Sequence, residues 1–108
     1  MPSPIRYVQG NTAPDLRLAL KDQDSGNPID VSAATVRLYL RKVGAAAVAT
    51  ITATKPGGGT DGVVLFAFPG GTFADAGMYE AEVEVTYASG KVETVFDKYL
   101  YETRESIA

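Results

Sequence analysis

The sequence contains no cysteine, no histidine and no tryptophan. Without thiols or imidazoles the chain can form no disulfide, no thiolate nucleophile, no imidazole base and no zinc site of the usual Cys/His type. These absences exclude most nucleophilic catalysis. The lack of tryptophan also removes the side chain that most often stacks on sugar rings, which weakens a glycosidase interpretation.

Positive charge and long apolar runs are scarce as well. The formal net charge is -3, which argues against binding to nucleic acid or to anionic lipid. The longest apolar runs, residues 43–49 and 62–68, are much shorter than the about 20 residues that cross a bilayer. We therefore expect no nucleic acid, membrane, cofactor, metal or small-molecule ligand. A length of 108 residues predicts one domain over residues 1–108.

The sequence is rich in period-two alternation of apolar and polar residues, with turn signals about every ten to twelve residues, which is typical of an all-β sandwich or barrel. Residues 30–34 favour a short helical turn. Residues 44–54 are ambiguous because alanines precede β-branched residues, and we assign their second half to a strand. The predicted strands are residues 5–9, 15–21, 35–42, the second half of 44–54, 63–68, 79–87 and one more after Ser89-Gly90.

The stretch Asp75-Ala76-Gly77-Met78-Tyr79 leads directly into the longest alternating segment. In immunoglobulin-like sandwiches, a tyrosine near the start of the sixth strand donates its hydroxyl to backbone a few residues upstream. Tyr79 occupies this place. We expect Asp75 to hold the turn by bonding its own backbone, and Gly77 to supply a conformation that would strain a side chain. The sequence thus predicts a seven-stranded, immunoglobulin-like antiparallel β-sandwich with a tyrosine corner.

The last two strands should form a hairpin closed by the two-residue loop Ser89-Gly90. This loop places Val85 beside Thr94 and Val83 beside Phe96. A shift of one residue would turn acidic side chains of the last strand toward the core, so the predicted register keeps apolar residues on the buried side.

The third, sixth and seventh strands share one sheet in this architecture. Side chains that point outward from the third and sixth strands should therefore lie side by side. We expect an exposed ladder of ion pairs, each contributing at most about 1 kcal/mol because solvent screens them. It would join Arg37 and Arg41, with Tyr39 between them, to Glu80, Glu82 and Glu84.

Three tyrosines are candidate partner contacts, since tyrosine is enriched where proteins meet. Tyr39 points outward in the predicted ladder. Tyr99 and Tyr101 flank Leu100 at the end of the last strand, where apolar residues occupy both faces. Either these two residues contact a partner, or they close the bottom of the sandwich.

Two loops contain residue types found in metal and phosphate sites. Asp22, Asp24, Asn27 and Asp30 crowd one loop, but Gly26 falls at the fifth position and Ala33 at the twelfth, which does not match a calcium loop. This pattern predicts a polar turn. Residues 57–60, Gly-Gly-Gly-Thr, lack the Gly-Lys-Ser/Thr and the helix of a phosphate cradle, and predict a flexible loop tip.

The glutamates at positions 80, 82 and 84 do not form a glycosidase pair. The two carboxylates of such enzymes flank the scissile bond from opposite sides of a cleft. A single strand face provides no cleft, so we interpret these glutamates as a solvated surface. No residue is assigned a catalytic role.

The order and spacing of several segments resemble the immunoglobulin-like N-terminal domain of phage baseplate upper proteins and related tail-associated modules of tailed bacteriophages. The resemblance covers most of the chain, although each segment alone is ordinary turn-and-strand sequence. The segments are QGNTAP at 9–14, DSGNPID at 24–30 followed by VSAATV, and AGMYEAEV at 76–83 followed by YASGKVET at 87–94.

This resemblance implies a non-enzymatic structural or adaptor protein of the virion, located in the tail, baseplate or neck. Its partners would be other virion proteins, contacted in repeated copies after assembly in the host cytoplasm. The family domain usually heads a longer fibre-linked protein, whereas this sequence ends just past the last strand, so we expect either a small adaptor, collar or decoration protein or a shortened form of a longer chain. The alternative is a virion-surface decoration or host-carbohydrate-binding sandwich module.

Overall fold

The computed structural model describes residues 4–22, 24–95 and 98–107, which form strands and turns. No helix in this part of the chain is long and apolar enough to cross a membrane. The strands, numbered in chain order, are β1 (Ile5–Val8), β2 (Leu16–Ala19), β3 (Thr35–Lys42), β4 (Ala49–Thr52), β5 (Val63–Phe66), β6 (Gly77–Thr86), β7 (Val92–Thr94) and β8 (Tyr99–Arg104).

Period-two alternation accounts for the two longest strands. On β3 the apolar side chains of Val36, Leu38 and Leu40 are buried, while the polar residues between them face outward. β6 alternates in the same way from Tyr79 to Val85. Since successive side chains on a strand point to opposite faces, each sequence pattern fixes which face meets the core.

The strands form two sheets. The larger has the order β1-β8-β6-β3-β4, with β7 also pairing with β6, and the smaller consists of β2 and β5. β6 runs antiparallel to β3 over the whole of β3. The structure is therefore all-β and consistent with a β-sandwich.

One pairing departs from the predicted antiparallel arrangement. β1 runs parallel to β8, with Ile5 opposite Tyr101 and Val8 opposite Arg104. Alternation in a short strand shows which side is apolar but does not determine the neighbouring strand or its direction. The expectation of a purely antiparallel sandwich is corrected accordingly.

The core lies between the two sheets and contains aliphatic and aromatic regions. Leu38, Val64 and Val83 are fully buried in the aliphatic part. The aromatic part lies toward the 73–79 corner and brings five rings together, with neighbouring centroids 4.7 to 6.0 Å apart. Edge-to-face packing of this kind adds to the stabilisation from burial alone. These rings belong to Tyr7, Phe68, Phe73, Tyr79 and Tyr101.

The loop of the final hairpin is one residue longer than predicted, and the predicted register is therefore wrong. The Tyr87 N–H donates to the Lys91 carbonyl at 2.8 Å, and the Gly90 N–H donates back to the Tyr87 carbonyl at 2.9 Å. The loop thus has three residues, with Gly90 at φ +90°, a common hairpin geometry that ends in a glycine bulge. The additional loop residue shifts the register by one, so Val85 lies opposite Glu93.

The last predicted strand is divided into β7 and β8. The Val95 N–H donates to the Val83 carbonyl, whereas Tyr99 lies opposite Ala81. The last strand therefore has two more residues than β6 over this interval, and the ladder is interrupted between β7 and β8. The predicted pairing of Val83 with Phe96 falls on a residue outside the described ones. Eight strands are present in the described residues rather than the seven predicted.

Three smaller expectations also change. The strand predicted over residues 63–68 ends at Phe66, with Val64 and Phe66 buried and Val63 and Leu65 only half-buried. Residues 57–60 are not a free loop tip, because Gly59 is buried and its carbonyl accepts the Val31 N–H at 2.9 Å. Residues 30–34 form a turn rather than a helical turn.

Candidate protein-interaction surface

The outer side of the two central strands bears most of the candidate residues. We call it the charged face, and it is formed by outward-pointing side chains that alternate with the buried core residues of β3 and β6. The register places Arg37 opposite Glu84, Tyr39 opposite Glu82, and Arg41 opposite Glu80. No strand of the smaller sheet covers this side, since both sheets turn their apolar sides to the common core.

Glu80 is the best-connected residue of the charged face. Its Oε1 accepts a hydrogen bond from Lys98 Nζ at 3.1 Å, and its Oε2 lies 3.4 Å from Arg41 Nε. The Glu80 side chain is 18% exposed. The hydrogen bond from Lys98, followed by the contribution of Arg41, lowers the pKa of Glu80 below its usual value.

At the other end of the charged face, Glu84 is bonded by the hydroxyl of Tyr39 rather than by an arginine. Tyr39 Oη donates to Glu84 Oε1 at 3.1 Å. This hydrogen bond is the main reason that the pKa of Tyr39 is raised, and the nearby Arg37 partly opposes it. Of the expected arginine–glutamate pairs, Arg41 with Glu80 is the ion pair found among the described residues.

A shallow groove of 390 Å³ crosses the charged face. Its walls include the ring of Tyr39, the charged groups of Arg41, Glu80 and Lys98, and the side chain of Val48. Val48 is 52% exposed. The groove therefore offers an aromatic ring, an apolar side chain and charges of both signs, a combination suited to contact with another protein surface.

The three tyrosines predicted as partner contacts do not share a surface. Tyr39 is on the charged face, whereas Tyr99 lies opposite the inward-facing Ala81 and packs partly against the core. Tyr101 lies opposite Tyr79 and is 2% exposed. Burial raises the pKa of Tyr101 and leaves it no surface for a partner, so its assignment as a partner contact was wrong.

The corner before β6 is organised around one hydroxyl. Tyr79 Oη donates to the Asp75 carbonyl oxygen at 2.8 Å and accepts the Asp75 N–H at 3.2 Å. Asp75 thus contributes through its backbone, and no bond from its carboxylate to the turn is found in the described part of the chain. Gly77 has φ +129°, and a Cβ there would lie 3.0 Å from Lys42 Cε.

The acidic loop uses its carboxylates to hold turns. Asp22 Oδ1 accepts the backbone N–H groups of Asp24 and Ser25 at 2.9 and 3.1 Å. The bond from Ser25, followed by that from Asp24, lowers the pKa of Asp22. Asp30 Oδ1 accepts the Ser32 N–H at 2.9 Å. Within residues 4–22, 24–95 and 98–107, no group of three or more Asp, Glu, His or Cys side chains is placed to hold a metal ion.

Sequence reasoning missed two members of this surface, Lys98 and Val48. The three-residue loop and the interruption between β7 and β8 bring Lys98 next to Glu80, and a regular two-residue hairpin would not have done so. Val48 lies just before β4, which pairs with β3. Its position beside the groove depends on this pairing, and no local pattern in residues 44–54 specifies it.

The protein is all-β, and its charged face exposes an aromatic ring beside charges of both signs. The structure is similar to CopC from Methylosinus trichosporium OB3b, with a TM-score of 0.58 and 11% identity over 99% of this chain and 89% of that chain. It is also similar to the N-terminal domain of ORF48 from phage TP901-1, with a TM-score of 0.57 and 10% identity over 96% of this chain and 85% of that chain.

At these identities the two likenesses are likenesses of fold. No protein-family model and no curated protein matches the sequence. ORF48 is a phage protein, which agrees in general terms with the resemblance to phage modules noted from the sequence.

Proposed function

We propose that this protein is a non-enzymatic structural or adaptor protein of a tailed-bacteriophage virion, in the tail, baseplate or neck. The observation that carries the proposal is the fold shared with a phage protein domain over 96% of this chain. The segments that resemble phage tail modules support it independently, because they lie in the order and spacing of those modules.

The charged face is the proposed contact surface. Tyr39 at its centre provides a large, rigid aromatic group, and Arg41 and Glu80 beside it provide charges of both signs. Mixed charge of this kind favours a partner with a complementary pattern and sets its orientation. Tyr99 is a second proposed contact, because it is half-buried at the edge of the core.

We further interpret the architecture as an immunoglobulin-like sandwich. In this interpretation β7 and β8 are two parts of one interrupted strand, since both pair with the same side of β6. The expected seven strands are then recovered. The bonds between Tyr79 and Asp75 have the arrangement of a tyrosine corner, in which the sixth strand is tied to the preceding turn.

We also propose that the protein has no catalytic activity. Glu80 is engaged by Lys98 and Arg41, and Glu84 by Tyr39, so these carboxylates have partners on the protein surface. All three glutamates of β6 point to one side of a single strand, which does not form the opposed pair of a glycosidase.

The test is to ask whether the protein is part of the particle. Antiserum against the purified protein would be applied to density-gradient-purified virions of the phage that encodes it, by immunoblot and immunogold electron microscopy. We expect label at a fixed place on the tail or neck. A host cytoplasmic protein serves as the control for carry-over. Detection of this protein only in the free lysate fraction would reject the proposal.

A pair of variants tests whether incorporation of the protein into the particle depends on the charged face. Tyr39→Ala removes the central ring, and Arg17→Ala removes an exposed side chain of β2, on the smaller sheet. We expect Tyr39→Ala to reduce the amount of protein per particle and Arg17→Ala to leave it unchanged.

The carbohydrate-binding alternative is tested with a glycan array and a multivalent form of the protein. Retention that depends on a particular sugar would support this alternative.

A further inference from the structure

We propose that β4 pairs edge to edge with β4 of a second copy of this chain, antiparallel and across a two-fold axis at Ile51. In this arrangement Thr50 of one copy exchanges backbone hydrogen bonds with Thr52 of the other, and the larger sheets of the two copies become continuous. The inference rests on the proposed function in one respect, that the chain works in repeated copies.

The first observation is that β4 has an open edge at Thr50 and Thr52, which ends where Thr54 exchanges two backbone hydrogen bonds of 2.9 Å with Leu65. It is the last strand of the larger sheet and pairs with β3 on one side. The Ala53 N–H donates to the Val36 carbonyl at 2.8 Å. Residues along an antiparallel pair alternate between bonded and non-bonded positions, so Ile51 and Ala49 also bond to β3. The backbone groups of Thr50 and Thr52 therefore point away from β3, and both residues are exposed.

The second observation is that this edge carries no charged side chain and no proline. Natural sheet edges are guarded against pairing by lysine, proline, bulges or charged side chains. From Val43 to Thr54 the sequence has twelve residues without a charge or a proline. Other edges differ, since β1 contains Arg6 and follows Pro4, β2 contains Arg17, and β7 contains Glu93.

The third observation is that β4 is complementary to itself. With the axis at Ile51, each outward-facing threonine backbone of β4 finds a partner, and no residue outside the strand is needed. On the outer face Thr50 lies beside Thr52 of the second copy, and such β-branched cross-strand pairs are favourable. On the inner face Ile51 is only 7% exposed, so the pairing relies on backbone hydrogen bonds and buries no charge.

The pairing should be weak for free chains. β4 has four residues, so the contact is small, below the about 1,200 Å² that separates stable interfaces from transient ones. Copies held close together on a particle would pair readily, because neighbouring attachment points raise the effective concentration. An edge of this kind therefore suits a subunit that assembles in place.

The absence of cysteine makes single-cysteine trapping a clean experiment. Thr50→Cys, Thr52→Cys and, as a control on another edge, Thr94→Cys would be oxidised under mild conditions, alone and in pairwise mixtures. One member of each mixture is ¹⁵N-labelled, so that mass spectrometry separates mixed from identical dimers. In the proposed register position 50 lies directly opposite position 52, within the Cα separation that a disulfide tolerates.

We expect the mixed Thr50→Cys/Thr52→Cys dimer to form about tenfold faster than either identical dimer or any dimer containing Thr94→Cys. Thr50→Lys should abolish the concentration-dependent sedimentation of the cysteine-free chain, and Thr94→Lys should not, with circular dichroism showing that both remain folded. Equal trapping at positions 50, 52 and 94 would overturn the proposal, as would fastest trapping of Thr50→Cys with itself.

The test of β4 pairing and the test of the virion role can fail independently of each other. Preferential trapping of positions 50 and 52 in a protein absent from purified virions would retain the β4 pairing and reject the virion role. Labelled virions together with no preferential trapping would retain the virion role and reject the pairing.

Discussion

Tyr79 and Asp75 are joined by two hydrogen bonds that share one phenol oxygen. The hydroxyl donates to the Asp75 carbonyl at 2.8 Å and accepts the Asp75 N–H at 3.2 Å. The ring itself is buried against Phe73, with centroids 5.1 Å apart. A single side chain thus connects the start of β6, the preceding turn and the aromatic core.

Removing this hydroxyl should destabilise the fold without disturbing the ring. Tyr79→Phe keeps the contact with Phe73 but leaves the Asp75 backbone groups without their partner, at a cost of about 1 to 2 kcal/mol. Urea unfolding measures the change. Tyr39→Phe, which removes a half-buried hydroxyl bonded to a side chain, Glu84, rather than to backbone, is the matched control and should cost less. Equal losses would mean that the Tyr79 hydroxyl has no special structural role.

Substitution by alanine should destabilise the protein to very different extents at two glycines with similar backbone angles. Gly58 and Gly62 have φ of +84° and +76°. A Cβ on Gly58 meets open space, whereas one on Gly62 would lie 2.5 Å from the Leu20 carbonyl oxygen. Gly58→Ala should cost about 1 kcal/mol through backbone strain alone. Gly62→Ala should cost more than about 3 kcal/mol.

The comparison is made by chemical unfolding of the two variants beside the unchanged protein. A Gly62→Ala protein that unfolds at the same urea concentration as Gly58→Ala would show that the 20–29 and 59–62 segments can separate without loss. The model of a packed loop, held by the Leu20 N–H bond to the Gly62 carbonyl at 2.9 Å, would then be incorrect.

Thr103 offers a route to higher stability. It is 3% exposed, and its Oγ1 has no hydrogen-bond partner among the described residues. Burial of an unpaired hydroxyl costs free energy, so Thr103→Val should raise the free energy of unfolding by about 1 kcal/mol. Thr103→Ser keeps the hydroxyl and removes a methyl group, and should lower it. Thermal unfolding of the two variants should move in opposite directions.

Glu80 should contribute to the loss of stability in acid. Because Lys98 and Arg41 hold its pKa lower in the folded state than in the unfolded chain, folding is favoured above the unfolded pKa. This contribution disappears as the pH falls through the lowered folded pKa. Arg41 and Lys98 are about half-exposed, so solvent limits the contribution to at most about 1 kcal/mol.

Glu80→Gln should therefore flatten the acid limb of the stability profile, measured by unfolding at a series of pH values. Glu105→Gln removes an exposed carboxylate away from this cluster and should leave the profile unchanged. High salt should reduce the difference between Glu80→Gln and the unchanged protein. A Glu80→Gln profile that overlays the unchanged protein would exclude this role.

Local pattern was sufficient to predict much of the fold. The alternation of Val36, Leu38 and Leu40 gave the bounds of β3 and its buried face, and the residues around Tyr79 located the start of the longest strand to within two positions. These features depend on the period of two and on turn chemistry, which are properties of short segments. The opposition of the β3 arginines and β6 glutamates followed from the assignment of the third and sixth strands to one sheet.

The rest depended on contacts between distant segments. Leu100 lies opposite the outward-facing Glu80, whereas Tyr99 and Tyr101 face inward, but a strand apolar on both sides does not reveal this from its own sequence. One additional residue in the final loop changed the hairpin register, and Lys98 reached Glu80 as a result. The pairing of β4 with β3 likewise reflects which sheet edge was open, not a signal within residues 44–54.

The parallel pairing of β1 with β8 has a mechanical consequence. Ile5 lies beside Tyr101, and Val8 lies beside Arg104, so the chain enters the sheet at one end and leaves it at the other. Tension applied through the two ends would pull these neighbouring strands past each other along their length. Their hydrogen bonds would bear the load together instead of breaking in succession, an arrangement that resists extension of the chain.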